Sequence, residues 1–141
     1  MRTTKVTMRI SQVEATDPSL NALAQRTKMR GVLKGEKVPD RFSFSELREW
    51  PTDVWLLDSP LGPEAKLREH VGAFALIIQD HELHFQDLRD QGAKIEILCT
   101  ITTDEFITTV HIPSSLAIVF CRMGIEIGLT ITNLKGVPQS V

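Results

Sequence analysis

The densest group of chemically capable side chains in the sequence is Asp80-His81-Glu82-Leu83-His84, with Asp87 following. On a helix, His81, His84 and Asp87 recur every three residues. They share one face, a row able to offer two imidazoles and a carboxylate to a divalent ion. The spacing is not that of the zinc-protease motif, whose histidines stand four apart around a catalytic glutamate. No fourth ligand lies nearby, so the preferred reading is a polar helix end in which one histidine bonds a neighbouring carboxylate. The expectation is no cofactor and no stoichiometric metal. His70 occupies the helix face flanking Leu67 and Phe74, and His111 stands opposite the inward face of an alternating stretch; neither has a partner close in sequence.

Other spacings fall short of a known chemistry. Gly31-Val32-Leu33-Lys34-Gly35-Glu36-Lys37 has three residues between its glycines where a phosphate loop needs four. Glu36 would repel phosphate, and Val38-Pro39 replaces the helix that should follow. Asp53 and Asp58 bound an extended segment and so stand about 17 Å apart, too far for paired acid–base work on a glycoside. Cys99 and Cys121 have no metal-ligand spacing and are expected as buried free thiols filling core space. No Ser–His–Asp or Cys–His arrangement follows from sequence proximity, and no catalytic residue is assigned.

Composition narrows the class. The 141 residues are 42% hydrophobic and 24% charged with a formal net charge of −2, which fits one globular domain and gives no global attraction for nucleic acid or an anionic membrane. No apolar run is long enough for a membrane span, and the N-terminal residues alternate where a secretion signal would be continuously apolar. A cytoplasmic domain spanning 1–141 is expected, with its tail frayed from about 133.

Positioning elements are legible from periodicity. Ile95, Ile97, Cys99 and Ile101 alternate with Lys94, Glu96 and Thr100, with only Leu98 departing; Phe106, Thr108, Val110 and Ile112 alternate with Ile107, Thr109 and His111, and Ile125, Ile127, Leu129 and Ile131 with Glu126, Gly128, Thr130 and Thr132. Period two predicts strands over 94–102, 106–112 and 125–132, each with one buried face, and Thr103-Asp104-Glu105 predicts a hairpin between the first two. Two further strands are expected near 5–11 and 53–58. Asp17-Pro18 opens a short helix carrying Leu20, Leu23 and Ala24. Leu67, Val71, Phe74, Ala75 and Ile78 stripe a helix over 64–78, and Phe85 and Leu88 suit a further short turn before Gly92. Leu116, Val119, Phe120 and Met123 stripe a helix over 114–123 that Gly124 stops. The fold class is α+β: an antiparallel or mostly antiparallel sheet with two main helices packed on one face. The region 31–52 is the least periodic and allows one short edge strand.

In its layout the sequence resembles the uncharacterised bacterial domain-of-unknown-function family 4279. The matching pieces are Val6–Ile10, Gly31–Lys37, Trp55-Leu56-Leu57-Asp58-Ser59, Leu67–Ile78, and Ile112-Pro113 through Met123-Gly124-Ile125-Glu126-Ile127. The family often has a Tyr after the last strand, where this chain has Asn133 and Leu134. The resemblance spans nearly the whole chain, implies the fold, and brings no activity to transfer.

Function is therefore expected from surface chemistry. Trp50, Trp55, Arg41 and Arg48 belong to the residue types that dominate binding hot spots and stand beside the charged 34–41 stretch. Trp55 alternates away from Val54 and Leu56, so it either clamps the 31–52 loop or contributes a surface anchor. The expectation is a non-catalytic intracellular domain that binds a protein partner, or itself as a homodimer, with immunity proteins as a compositional analogy. It is not expected to bind nucleic acid or a membrane. The alternative is a small-ligand-binding protein or hydrolytic enzyme with its pocket between the 31–52 loop and the sheet.

Overall fold

The computed structural model describes residues 2–13, 17–32, 37–39, 47–49 and 54–134. The strands are β1 (Arg2–Ser11), β2 (Arg30–Val32), β3 (Lys37–Pro39), β4 (Leu47–Glu49), β5 (Val54–Asp58), β6 (Lys94–Thr103) and β7 (Glu126–Asn133). The helices are α1 (Pro18–Thr27), α2 (Leu67–Asp80), α3 (Glu82–Asp90) and α4 (Ser114–Arg122). Five strands form one sheet in the order β2-β5-β1-β6-β7, and β3 and β4 form a separate antiparallel pair. The main sheet is mostly antiparallel, with β6 and β7 its one parallel pair. This is the α+β class that the periodicities imply. No helix among the described residues is long and apolar enough to cross a membrane.

The core forms where the strand and helix stripes meet. Val6, Met8 and Ile10 of β1 lie across from Cys99, Ile97 and Ile95 of β6, so their side chains share one face. Val71, Phe74 and Ile78 of α2 and Phe120 of α4 close over that face, each at most 1% exposed. Phe85 and Leu88 of α3, with Leu20 and Leu23 of α1, extend the same core.

Local chemistry sets the helix ends. Asp17 Oδ1 accepts from the Leu20 amide and Pro18 takes the first helical position of α1. Glu69 Oε1 accepts from the Lys66 amide at the start of α2. At the end of α4, Arg89 Nη1 donates to the Arg122 carbonyl at 3.0 Å, supplying an orphan acceptor with a partner from α3. Gly124 then turns the chain with φ +65°, and a Cβ there would stand 3.0 Å from the Arg89 guanidinium.

Three expectations need correction. Residues 106–112 form no strand, and no hairpin joins them to β6. The position beside β6 is taken by β7, which holds an unbroken register from Glu96↔Glu126 to Thr103↔Asn133; the intervening chain is a loop leading into α4 and a parallel crossover. Second, the stripe of β7 is not fully covered. Ile125 is 6% exposed, but Leu129 and Ile131 are 43% and 46% exposed, because β7 is the edge strand and the helices close over its start alone. Third, Cys121 is exposed while Cys99 is buried, since Cys121 falls off the stripe that turns Phe120 inward. Asn133 ends β7, and its Nδ2 donates to the Glu105 carbonyl; the tail expected to fray from about 133 lies, past 134, outside the described residues.

Candidate functional site

The histidine row at 81–87 does not assemble. α2 ends at Asp80 and α3 begins at Glu82, so His81 is a junction residue with φ −125° and ψ 32°, out of helical phase with His84. His81 Nδ1–H donates to the Ile77 carbonyl at 3.0 Å, and its ring lies 6.2 Å from that of His84. Asp87 turns to α1, where it accepts from Ser19 Oγ at 3.2 Å. Among the described residues no three His, Cys, Asp or Glu side chains converge on a metal-sized point.

The structure brings together a pair that sequence proximity hid. Ser59 follows β5 and His70 lies one turn into α2, eleven positions on, with Ser59 Oγ 2.5 Å from His70 Nδ1. The helix stripe could have flagged it, because a histidine between Leu67 and Phe74 faces the core and must find a polar partner. Ser59 Oγ also accepts from the Leu61 amide at 3.2 Å, which folds the turn after β5 back on itself. His70 is 1% exposed, and its Nε2 is buried without a hydrogen bond. Burial lowers the His70 pKa from its ordinary value; Glu69 and the nearby Gly62 and Ala65 carbonyls oppose this incompletely.

A shallow cavity of about 310 Å³ opens beside this pair, bounded by Lys5, Asp58, Ser59, Leu61 and His70. Its volume sits at the low end, roughly 300 Å³, of small-molecule sites. Asp58 does not complete a triad. It precedes Ser59 on an extended segment and turns to the other side, accepting from Thr7 Oγ at 3.0 Å and lying 3.6 Å from Arg30. Among the described residues the pair is therefore a serine held against a neutral imidazole, with no carboxylate bonded to the ring.

Trp55 is a core residue. It pairs with Ile10 on the helix-covered face and is 6% exposed, while Val54 and Leu56 are buried on the opposite face. Its indole lies over Gly31 of β2, where a Cβ would stand 3.1 Å from Trp55 Nε1. The alternation was legible and its phase was not, because both faces of β5 are bulky. Trp50, Arg41 and Asp53 lie outside the described residues. Arg48 is placed only as a backbone position on β4, opposite Val38. A pocket between the 31–52 loop and the sheet likewise falls on residues outside those described.

Besides exposed leucines on the helices, such as Leu76 and Leu83, large apolar side chains stand exposed around the end of β7. Phe106 and Ile107 are 76% and 75% exposed in the loop after β6, and Leu134, just beyond β7, is 54% exposed. The Leu134 amide donates to the Thr103 carbonyl at 2.9 Å, and the Asn133 bond to Glu105 ties the same loop to the end of β7. Arg2 fixes the loop from β1 through Glu105 at 3.2 Å. Leu129 and Ile131 continue from this corner along the helix side of β7, in register with Cys99 and Ile101. The outward face of the sheet is better satisfied: Arg9 Nη2 meets Glu96 Oε1 at 2.7 Å, and Lys94 stands 4.0 Å from Glu96. Periodicity assigned Phe106 and Ile107 to a paired strand, so this corner was the part of the surface that pattern reasoning missed. Compared with known proteins, the chain matches no family model, no curated protein and no solved structure.

Proposed function

We propose that the protein is a binding domain that acts by holding a protein partner and performs no turnover, with its contact surface at the corner where β7 meets the 104–112 loop. The observation that carries this reading is the exposure of Phe106, Ile107, Leu129, Ile131 and Leu134 on neighbouring segments. Isolated exposed apolar residues are ordinary, but a contiguous group beside an open strand edge is the usual mark of an interaction site. Hydrogen bonds hold the loop to both β1 and β7, so the surface is preorganised and little ordering cost opposes docking. Placement in the cytoplasm and the resemblance to family 4279 belong to the same proposal; the order of β1, the Trp55 strand, α2, β6, the Pro113-led α4 and β7 supports the resemblance.

The Ser59–His70 contact favours a second reading, a small-ligand or hydrolytic site in the adjoining cavity. A nucleophilic serine needs a base oriented by a third group, and here Ser59 Oγ is engaged by the Leu61 amide while Asp58 faces away. We therefore assign the pair to holding the turn after β5 against α2. Affinity capture from native extract separates the two readings. The wild type should retain a protein that the Phe106→Ser/Ile107→Ser double variant, folded by circular dichroism, does not. Consumption of a compound from a metabolite mixture, abolished by Ser59→Ala, would reverse the assignment.

A further inference from the structure

The open edge of β7 carries an unusual sequence for an exposed strand. Glu126-Ile-Gly-Leu-Thr-Ile-Thr-Asn133 contains one charge, at its first position, and neither lysine nor proline. Its pairing with β6 runs without a bulge from end to end. Edge charges, proline and bulges are the devices that keep strand edges from pairing with other chains, and the middle of β7 has none of them. Among the described residues, no strand pairs with its outer side.

We infer that β7 pairs antiparallel with β7 of a second copy of this chain, about a two-fold axis passing through Leu129, to make a continuous sheet across a homodimer. This rests on the binding reading above and names the partner. The argument is self-complementarity. A two-fold axis perpendicular to the sheet keeps both helix layers on the same side and requires residues of like facing to meet. Centred on Leu129, it sets Leu129 against its own copy, Ile127 against the partner's Ile131, Gly128 against the partner's Thr130 and Glu126 against the partner's Thr132. Every apolar residue of the helix side then meets an apolar residue, and the strand's single charge meets no like charge. Moving the axis to Thr130 would set Ile127 against Asn133, and moving it to Gly128 would leave Ile131, Thr132 and Asn133 without a partner in the opposed strand. The corner residues Phe106, Ile107 and Leu134 lie beside the end of β7, where the start of the partner's strand arrives. Exposed side chains of this size leave on the order of 100 Å² each, so the five bury roughly 1,000 Å² across the two copies, the lower limit for a specific interface, before strand pairing is added.

Light scattering coupled to size exclusion at about 100 μM chain, a concentration at which even weak pairing is populated, tests the assembly, and a cross-link tests the register. The wild type should elute at twice the 15.8 kDa chain mass. Leu129→Lys, at an already exposed position, should stay folded and elute as a monomer. In a Cys99→Ala/Cys121→Ser background, which removes the in-register thiol of β6 as an intrachain partner, Leu129→Cys should oxidise to a covalent dimer, because directly opposed strand residues stand about 4.5–5.5 Å apart at Cα, within disulfide reach. Ile127→Cys in the same background should not, since its own copy lies four residues away along the pair. A monomeric wild type overturns the inference. So does a dimer that Leu129→Lys leaves intact, or one in which Ile127→Cys cross-links and Leu129→Cys does not. The binding reading fails separately, if capture by the wild type and the Phe106→Ser/Ile107→Ser variant is the same.

Discussion

Acidification should destabilise the fold through His70. The unfolded chain titrates this imidazole near pH 6.5, and burial beneath the turn after β5 lowers its pKa in the folded state. Between the folded pKa and about 6.5, the unfolded chain binds a proton that the folded chain does not, so stability falls as pH falls. The contribution is fully present above the unfolded pKa and is lost on the acid side. One proton per transition sets a ceiling of about 1.4 kcal/mol per pH unit. The Glu69 charge and the Gly62 and Ala65 carbonyls oppose the desolvation of His70, so the observed slope should lie below that ceiling. With a urea m-value of about 2 kcal/mol/M, the ceiling corresponds to a midpoint shift of about 0.7 M per pH unit. Urea unfolding between pH 7.5 and 5.5, wild type against His70→Gln, isolates this group from the other three histidines. The variant should be the less stable at pH 7.5, and its profile should be flatter in that window. Parallel profiles would refute the reasoning, as would an NMR titration placing His70 at or above 6.5.

Other expectations follow from the same packing. Cys99, whose pKa burial pushes up to about 11, should resist a thiol reagent in the native protein while exposed Cys121 reacts; modification of both, counted by mass spectrometry without denaturant, would show that the β6 core opens readily. Phe120→Ala should cost about 3–5 kcal/mol in denaturant unfolding, since Phe120 is 1% exposed between α4 and the sheet; a loss under about 0.5 kcal/mol would place it outside the core. Gly31→Ala should cost about 1–3 kcal/mol by pressing a methyl group against the Trp55 indole, with a change in tryptophan fluorescence; unchanged stability would show that the indole is free to move. Elemental analysis after dialysis should find no stoichiometric transition metal, because His81 and Asp87 turn to separate partners; one ion per chain, lost on changing His81 and His84 together, would contradict that geometry.

The fold was legible wherever one pattern had one explanation. The alternation of β1 and β6 and the stripes of α2 and α4 each bury one face, so period and facing agree. Trp55 defeated the method because β5 is apolar on both sides, and local sequence cannot choose which side meets the helices. Residues 106–112 alternate as well as any strand, yet a strand requires an edge to pair with. β6 has β1 on one side and β7 on the other, a fact of topology that no local pattern contains. The same fact exposes Phe106 and Ile107 and creates the corner assigned here to binding. Ser59 and His70 were each visible, but their meeting depends on how the turn at 59–66 returns the chain to α2.

Hydrogen–deuterium exchange of the chain alone and in its assembled state asks whether the corner of β7 and the 104–112 loop is the working surface. Dilution to the free monomer supplies the reference for a self-assembly, and a captured partner supplies the complex otherwise. Amides of 104–112 and 126–134 should slow on assembly while those of 59–70 stay unchanged. Protection confined to 59–70, in the presence of a small molecule and without assembly, would rule out the corner and transfer function to the cavity beside Ser59 and His70.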